Sequence, residues 1–164
     1  MRIGIISDSH GHNDPVRGAL AIFAAHEVDA VVHCGDVGGS KCIELLAGGG
    51  ANVYVVAGNM DRRVDRLATV CQKHGVLFSS EVVEVPIGDG KFLVATHGDD
   101  ERLLGELIAE QQFPYICHGH THNLRDERIN GVRVINPGAL HHAKLHTVAV
   151  LDTETDMLEH ILVP

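Results

Sequence analysis

Apolar and polar positions follow two different periods along the chain, and each change of period marks an element. Arg2-Ile3-Gly4-Ile5-Ile6-Ser7 is a continuous apolar run, which predicts a strand buried on both faces. It leads into the polar loop Asp8-Ser9-His10-Gly11-His12. Asn13-Asp14-Pro15 predicts a helix start, with Asp14 as its cap and Pro15 at its first position. Val16, Ala19, Leu20 and Phe23 form the apolar stripe of that helix. Asp29 to Cys34 reads as a second buried strand running into Gly35-Asp36, and Ser40 to Ala47 as a short helix stopped by Gly48-Gly49-Gly50. Asn52 to Ala57 reads as a third strand, ending in Gly58-Asn59-Met60-Asp61, and Arg62 to His74 as a helix that Gly75 stops. The first part is therefore βαβαβ. Right-handed crossovers would place its three loops along one edge of a parallel sheet.

The pattern then changes. Glu81 to Val85 and Lys91 to Thr96 flank Pro86-Ile87-Gly88-Asp89-Gly90, which is a hairpin signal. The second of these strands runs into His97-Gly98-Asp99-Asp100, and Leu103, Leu104, Leu107 and Ile108 give a helical stripe. Tyr115-Ile116-Cys117 reads as a strand end. It is followed by segments at Leu124–Ile129, Val132–Ile135 (joined by Asn130-Gly131), Thr147–Leu151 and Met157–Val163, which look antiparallel. The pattern predicts a two-sheet mixed β core with helices packed outside it.

Composition narrows the picture. A chain of 164 residues suits one domain, and an apolar share of 45% without Trp requires an aliphatic core. The net charge of −9 argues against stable nucleic-acid binding and against an anionic membrane surface. No apolar run is long enough to span a bilayer, and Met1-Arg2 leads straight into a strand without a signal segment. Cys34, Cys42, Cys71 and Cys117 show no C-x-x-C spacing. They read as reduced, buried thiols of a cytoplasmic protein.

The 13 histidines change the picture most. Three of them fall in His118-Gly119-His120-Thr121-His122. In an extended segment, residues two apart share a face, so these imidazoles are expected to converge on one point. Gly119 would let the backbone approach closely. Other potential ligands follow the earlier strands in order: Asp8 and His10, Asp36, Asn59, then His97. Together with His120 and His122 they make seven oxygen and nitrogen donors without a thiolate. That set favours manganese, iron, zinc, nickel or cobalt over a structural cysteine-zinc site. Seven donors are too many for one ion that also keeps a catalytic water, and they suit two ions sharing a bridging carboxylate.

Asp8-x-His10, Gly35-Asp36, Gly58-Asn59, His97-Gly98 and Gly119-His120-Thr121-His122 resemble the motif series of the calcineurin-like metallophosphoesterases. Within that superfamily the chain is most similar to the small single-domain phosphodiesterases of the YfcE and MJ0936 type. The resemblance covers nearly the whole length, residues 1–164. It implies an α/β (α+β) fold: a four-layer αββα sandwich of two mixed β-sheets flanked by helices. It also implies a dinuclear site, most simply with Mn2+ or Ni2+ and with Fe or Zn as alternatives. Carried over residue by residue, Asp8, His10 and His122 would hold one ion, Asn59, His97 and His120 the other, and Asp36 would bridge them. Asp36 and Asn59 would then act in catalysis, where a hydroxide bridging the ions attacks phosphorus in line.

Met60 departs from the broader superfamily, in which many members carry a histidine after Gly-Asn, thought to protonate the leaving alkoxide. A thioether cannot do this, so activated diesters are expected to react well and alkyl ones slowly. His12 or His118 is the candidate substitute by position. Arg62 is the candidate contact to a substrate phosphate, with Arg63 beside it. Asp61 reads as an acceptor supporting the ligands or as a helix cap, and His118 as a residue behind the ligands or at the strand end rather than a ligand. Cys34 and Cys117 read as packing. His141, His142 and His146 form a further cluster after Asn136-Pro137-Gly138, which lacks the nearby carboxylate a metal site would need. The resemblance leaves open a phosphomonoesterase on the same site and a non-catalytic scaffold of the Vps29 kind. The expected partner is a small phosphodiester, with self-association possible through the C-terminal strand edges.

Overall fold

The computed structural model describes residues 1–164. In chain order its elements are β1 (Arg2–Ile6), α1 (Asn13–Ala25), β2 (Ala30–His33), α2 (Ser40–Ala47), β3 (Asn52–Val56), α3 (Val64–Lys73), β4 (Leu77–Ser79) and β5 (Val82–Gly88). They continue with β6 (Lys91–Thr96), α4 (Glu101–Glu110), β7 (Tyr115–Cys117), β8 (Leu124–Ile129), β9 (Val132–Pro137), β10 (Thr147–Asp152) and β11 (Met157–Leu162). One sheet has the order β11-β10-β1-β2-β3-β4 and the other β5-β6-β7-β9-β8. In the first, β1 to β4 run parallel, β10 pairs antiparallel with β1, and β11 pairs antiparallel with β10. In the second, β6, β7 and β9 are parallel, with β5 and β8 antiparallel at the edges. Both sheets are therefore mixed, as expected.

Three apolar clusters hold four layers together. Ile6, Val16, Phe23, Ile43 and Leu67 pack α1, α2 and α3 against the outer face of the first sheet. Ile3, Val32, Tyr54, Leu93, Tyr115 and Leu151 fill the space between the sheets. Val94, Ile116, Val132 and Val134 receive Leu107 of α4 on the far side. Strands covered on both faces must be apolar throughout, which explains the continuous runs in β1, β2 and β3.

Several boundaries differ from the sequence expectation. The cap residue of α1 is His12, with no side-chain cap, and Asp14 and Pro15 lie inside the first turn. The first four helical amides lack intrahelical partners, so proline is tolerated there as readily as at the first position. α3 starts at Val64 because Arg62 is still in a turn, its amide donating to the Met60 carbonyl at 2.9 Å. β4 was not anticipated. β8 with β9 and β10 with β11 pair antiparallel as expected, while β9 runs parallel to β7 on its other side and reaches Pro137.

Candidate metal centre

The centre forms beyond the carboxyl ends of the parallel strands, where an open α/β sheet leaves a crevice. Past β1 and β2 the chain stays zipped: the amides of Asp8, His10 and Gly11 donate to the carbonyls of Gly35, Asp36 and Val37 at 3.0, 2.8 and 3.0 Å. The loop after β7 joins them, with Gly119 N–H donating to the His97 carbonyl at 2.9 Å. Two glycines permit this closeness. A Cβ at Gly58 would overlap the Asp36 carboxylate, and one at Gly119 would overlap Ser7 Oγ and lie 2.6 Å from Asp8 Oδ2.

Five of the seven expected ligands adopt left-handed backbone: Asp8, His10, Asp36, His120 and His122 have φ of 54°, 46°, 54°, 63° and 57°. Aspartate and histidine enter this region more readily than most side chains, though not freely. The finding overturns the convergence expected for His118, His120 and His122. Two left-handed residues break the alternation, so the three rings part. His122 Nε2 lies 3.2 Å from Asp8 Oδ1, and the His120 ring stands edge-on to His97 with centroids 5.2 Å apart. His118 turns inward and is buried.

Two groups of donors emerge. Asp8, His10 and His122 offer atoms within 4.8 Å of one another, as do Asp8, Asp36 and His97. Asp8 is wholly buried, and its Oδ2 accepts the His120 amide at 3.1 Å. Asp36 Oδ1 accepts the Met60 amide at 2.8 Å, while Oδ2 lies 3.6 Å from both His10 Nε2 and His97 Nε2. Asn59 Oδ1 sits 2.9 Å from His97 Nε2.

The donor chemistry fits divalent ions. His10 Nε2 is buried beside both carboxylates and has no hydrogen-bond partner. His97 Nδ1 lies 2.8 Å from the Cys34 carbonyl. A carbonyl only accepts, so in the neutral ring the proton sits on Nδ1, and the Nε2 lone pair faces the oxygens of Asn59 and Asp36. Lone pairs turned toward one another in this way call for a cation between them, either a proton on Nε2 or a metal ion. His122 repeats the arrangement, with Nδ1 at 3.4 Å from the His142 carbonyl and Nε2 toward Asp8. Such outer hydrogen bonds fix a ligating ring's tautomer and orientation. Burial alone would raise the Asp36 carboxyl, but hydrogen bonds with His97 and the Met60 amide outweigh it and hold the group below its ordinary range. Burial alone would lower His97, and its bonds to Asp36 and the Cys34 carbonyl outweigh that, raising it.

The surroundings show what sequence reasoning found and what it missed. Asp61 is buried and caps no helix. Its carboxylate accepts the amides of Val37, Gly38 and Gly58 at 3.0, 2.9 and 2.9 Å, binding the Asp36 loop to the Asn59 loop. His118 Nδ1 lies 3.2 Å from the Gly119 carbonyl, and Asn136 Nδ2 donates to the same carbonyl at 2.8 Å. His118 is buried, and that burial lowers it to about 4. His33, hidden within β2, was missed. It is fully buried, lies 2.9 Å from Ser9 Oγ, and is lowered by burial to about 4. His141 and His142 were set aside for want of a carboxylate, yet both rings pack about His10 with centroids 5.7 and 5.8 Å away. His12 stacks on His141 at 3.6 Å. Arg62 is not among the ligand groups; it lines the cavity beside Met60. Burial pushes the Cys34 and Cys117 thiols far up, so both stay protonated and pack.

The sequence profile of the calcineurin-like phosphoesterase superfamily domain matches residues 1–156. The chain belongs to that superfamily. Among its calcineurin-like relatives, the phosphodiesterase MJ0936 of Methanocaldococcus jannaschii is 32% identical over 160 residues, covering 94% of each chain. The solved structure of an archaeal phosphodiesterase superposes with a TM-score of 0.89 at 30% identity, covering 99% of both chains. The Escherichia coli phosphoesterase YfcE shares the fold, with a TM-score of 0.68 at 20% identity over the full length of both. These likenesses agree with the four calcineurin-like layers described above. No helix is long and apolar enough to cross a membrane.

Proposed function

We propose that the chain is a divalent-metal-dependent phosphodiesterase acting on small diesters at a dinuclear centre. Asp8, His10 and His122 would hold one ion, Asn59, His97 and His120 the other, with Asp36 shared between them. The observation that carries the reading is the buried, unpartnered Nε2 of His10, set 3.6 Å from Asp36 Oδ2 and 3.9 Å from Asp8 Oδ1. A buried imidazole nitrogen without a partner is costly unless a ligand meets it. Bound there, two divalent ions supply Lewis acidity at the phosphoryl oxygens and lower the pKa of water toward neutrality.

The protein's own groups do the rest. Asp36 presents one oxygen toward His10 and His97 alike while the Met60 amide anchors the other, which is how a shared carboxylate must be held. The carbonyls of Cys34 and His142 orient His97 and His122 before any ion arrives. Asn59 adds a neutral oxygen and limits the total negative charge. Arg62 contacts the substrate phosphate from the adjoining cavity. Met60 gives no proton to the departing oxygen, so good leaving groups are favoured. Oxygen and imidazole donors suit Mn2+ or Ni2+, with Fe or Zn also acceptable. Four free, buried cysteines fit a reducing cytoplasm.

The test is hydrolysis of bis(para-nitrophenyl) phosphate by metal-stripped protein titrated with manganese, nickel and zinc, with para-nitrophenyl phosphate alongside. Two ions per chain, turnover of the diester above the monoester, and a loss of about 100-fold or more in Asp36→Asn are expected. Two tightly bound ions with no turnover of either ester would overturn the reading.

A further inference from the structure

Beside the metal centre lies a second cavity of about 370 Å³, which is larger than one phosphate needs. It adjoins the centre through Met60, which lines its wall while the Met60 amide donates to Asp36. Arg62, Arg63 and Arg66 also line it, together with the apolar Leu67. Of the six arginines elsewhere in this acidic chain, five are paired with a carboxylate (Arg2, Arg102, Arg125, Arg128 and Arg133) and only Arg17 is not. Around the cavity, Arg63 approaches only the exposed Asp65 at 3.9 Å, and Arg62 and Arg66 have no carboxylate partner. The acid that does line the cavity, Asp61, has both oxygens engaged by backbone amides. Two guanidinium groups without a carboxylate partner and a third only loosely paired, around one concavity in an acidic protein, offer a place for an anion. Met60, 51% exposed, adds an apolar surface between that site and the metal ligands.

We propose that this cavity receives a second phosphate of the substrate, so that the diesters this protein cleaves carry a further phosphate on an organic limb. The inference rests on the phosphodiesterase reading for its catalytic meaning, but binding tests it separately. Guanidinium groups recognise phosphate through paired, charge-assisted hydrogen bonds. The limb that joins the two phosphates would lie across Met60 and Leu67. The cavity thus sorts diesters by what they carry beyond the scissile bond, a selection the metal centre alone cannot make.

The experiment titrates thymidine 3′,5′-diphosphate and thymidine 5′-monophosphate separately into the manganese-loaded protein by calorimetry. The diphosphate is expected to bind about tenfold tighter or more, and the gap to narrow as NaCl rises from about 50 to about 500 mM. In Arg66→Ala the gap should fall below about threefold, and Arg66→Lys should keep part of it. Arg66 is exposed, so thermal melts should match those of the native chain. Equal affinity for the two nucleotides overturns the proposal. So does absence of binding by either up to about 5 mM, or a gap that survives Arg63→Ala combined with Arg66→Ala. Failure to hydrolyse bis(para-nitrophenyl) phosphate would count against the catalytic reading alone.

Discussion

Asp61 holds two of the site's loops in register, and replacing it separates the parts of its role. Its Oδ2 accepts the amides of Val37 and Gly58, and its Oδ1 that of Gly38. Val37 is fully buried, Gly58 half-buried and Gly38 exposed. In Asp61→Asn the remaining carbonyl oxygen keeps the two poorly hydrated amides, and the new NH₂ faces Gly38, where water can intervene. The cost is about 1–2 kcal/mol. In Asp61→Ala the Val37 and Gly58 amides lose their acceptor, each at roughly 1–3 kcal/mol, for a total of about 3–5 kcal/mol. For a chain of this size that lowers the melting temperature by about 10 °C. The loops it ties carry Asp36 and Asn59, so affinity for the second ion should fall more than tenfold in the alanine variant and much less in the asparagine one. Urea unfolding of metal-free protein and calorimetric metal titration measure the two effects. Equal losses in both variants, or an alanine variant within about 0.5 kcal/mol of the native chain, would refute the reasoning.

Gly119→Ala forces a methyl group onto Ser7 and Asp8 and should cost about 1–3 kcal/mol and weaken metal binding. Gly105→Ala, in the open on α4, should instead gain roughly 0.5–1 kcal/mol, and a loss of similar size in both by thermal melt would sink the packing argument. His33 is held neutral by burial, at about 4 in place of 6.5. The unfolded chain therefore binds its proton first. This group's contribution is complete above pH 6.5 and is lost as pH falls toward 4, amounting to about 3 kcal/mol. His33→Leu should flatten the pH dependence of the urea midpoint across that window, and an unaltered slope would exclude His33 as its source. Met60→His should raise hydrolysis of an alkyl diester by up to about 100-fold, with a smaller change for bis(para-nitrophenyl) phosphate. Equal rates before and after would mean that leaving-group protonation does not limit the reaction.

The sequence exposed the fold where burial forces a pattern. β1, β2 and β3 lie between helices and a second sheet, so their runs are apolar throughout, and each ends where the loop must turn polar. β4 escaped notice because it is three residues long and its Leu77 is 57% exposed, so no alternation develops. The order of Asp8, His10, Asp36, Asn59, His97, His120 and His122 was legible because each follows a strand. How the rings at 118–122 point was not, since that depends on two left-handed residues which spacing cannot reveal. The packing of His141 and His142 on His10 joins positions about 130 residues apart, and it could not be read locally. Asp61 offered a hint as an acid beside the Asn59 motif, but only the folded chain brings three amides to it.

The left-handed backbone at Asp8, His10, Asp36, His120 and His122 sets the chain's endurance against its chemistry. Each such residue costs about 1 kcal/mol that glycine would not. Passed through rounds of selection for heat resistance in the presence of a chelator, this protein would be expected to acquire glycine first at His10, His120 and His122, since Asp8 and Asp36 also accept the amides of His120 and Met60. The variants would melt higher and bind nothing. Any programme that hardens the protein therefore needs metal in the screen, or it will select for the site's removal.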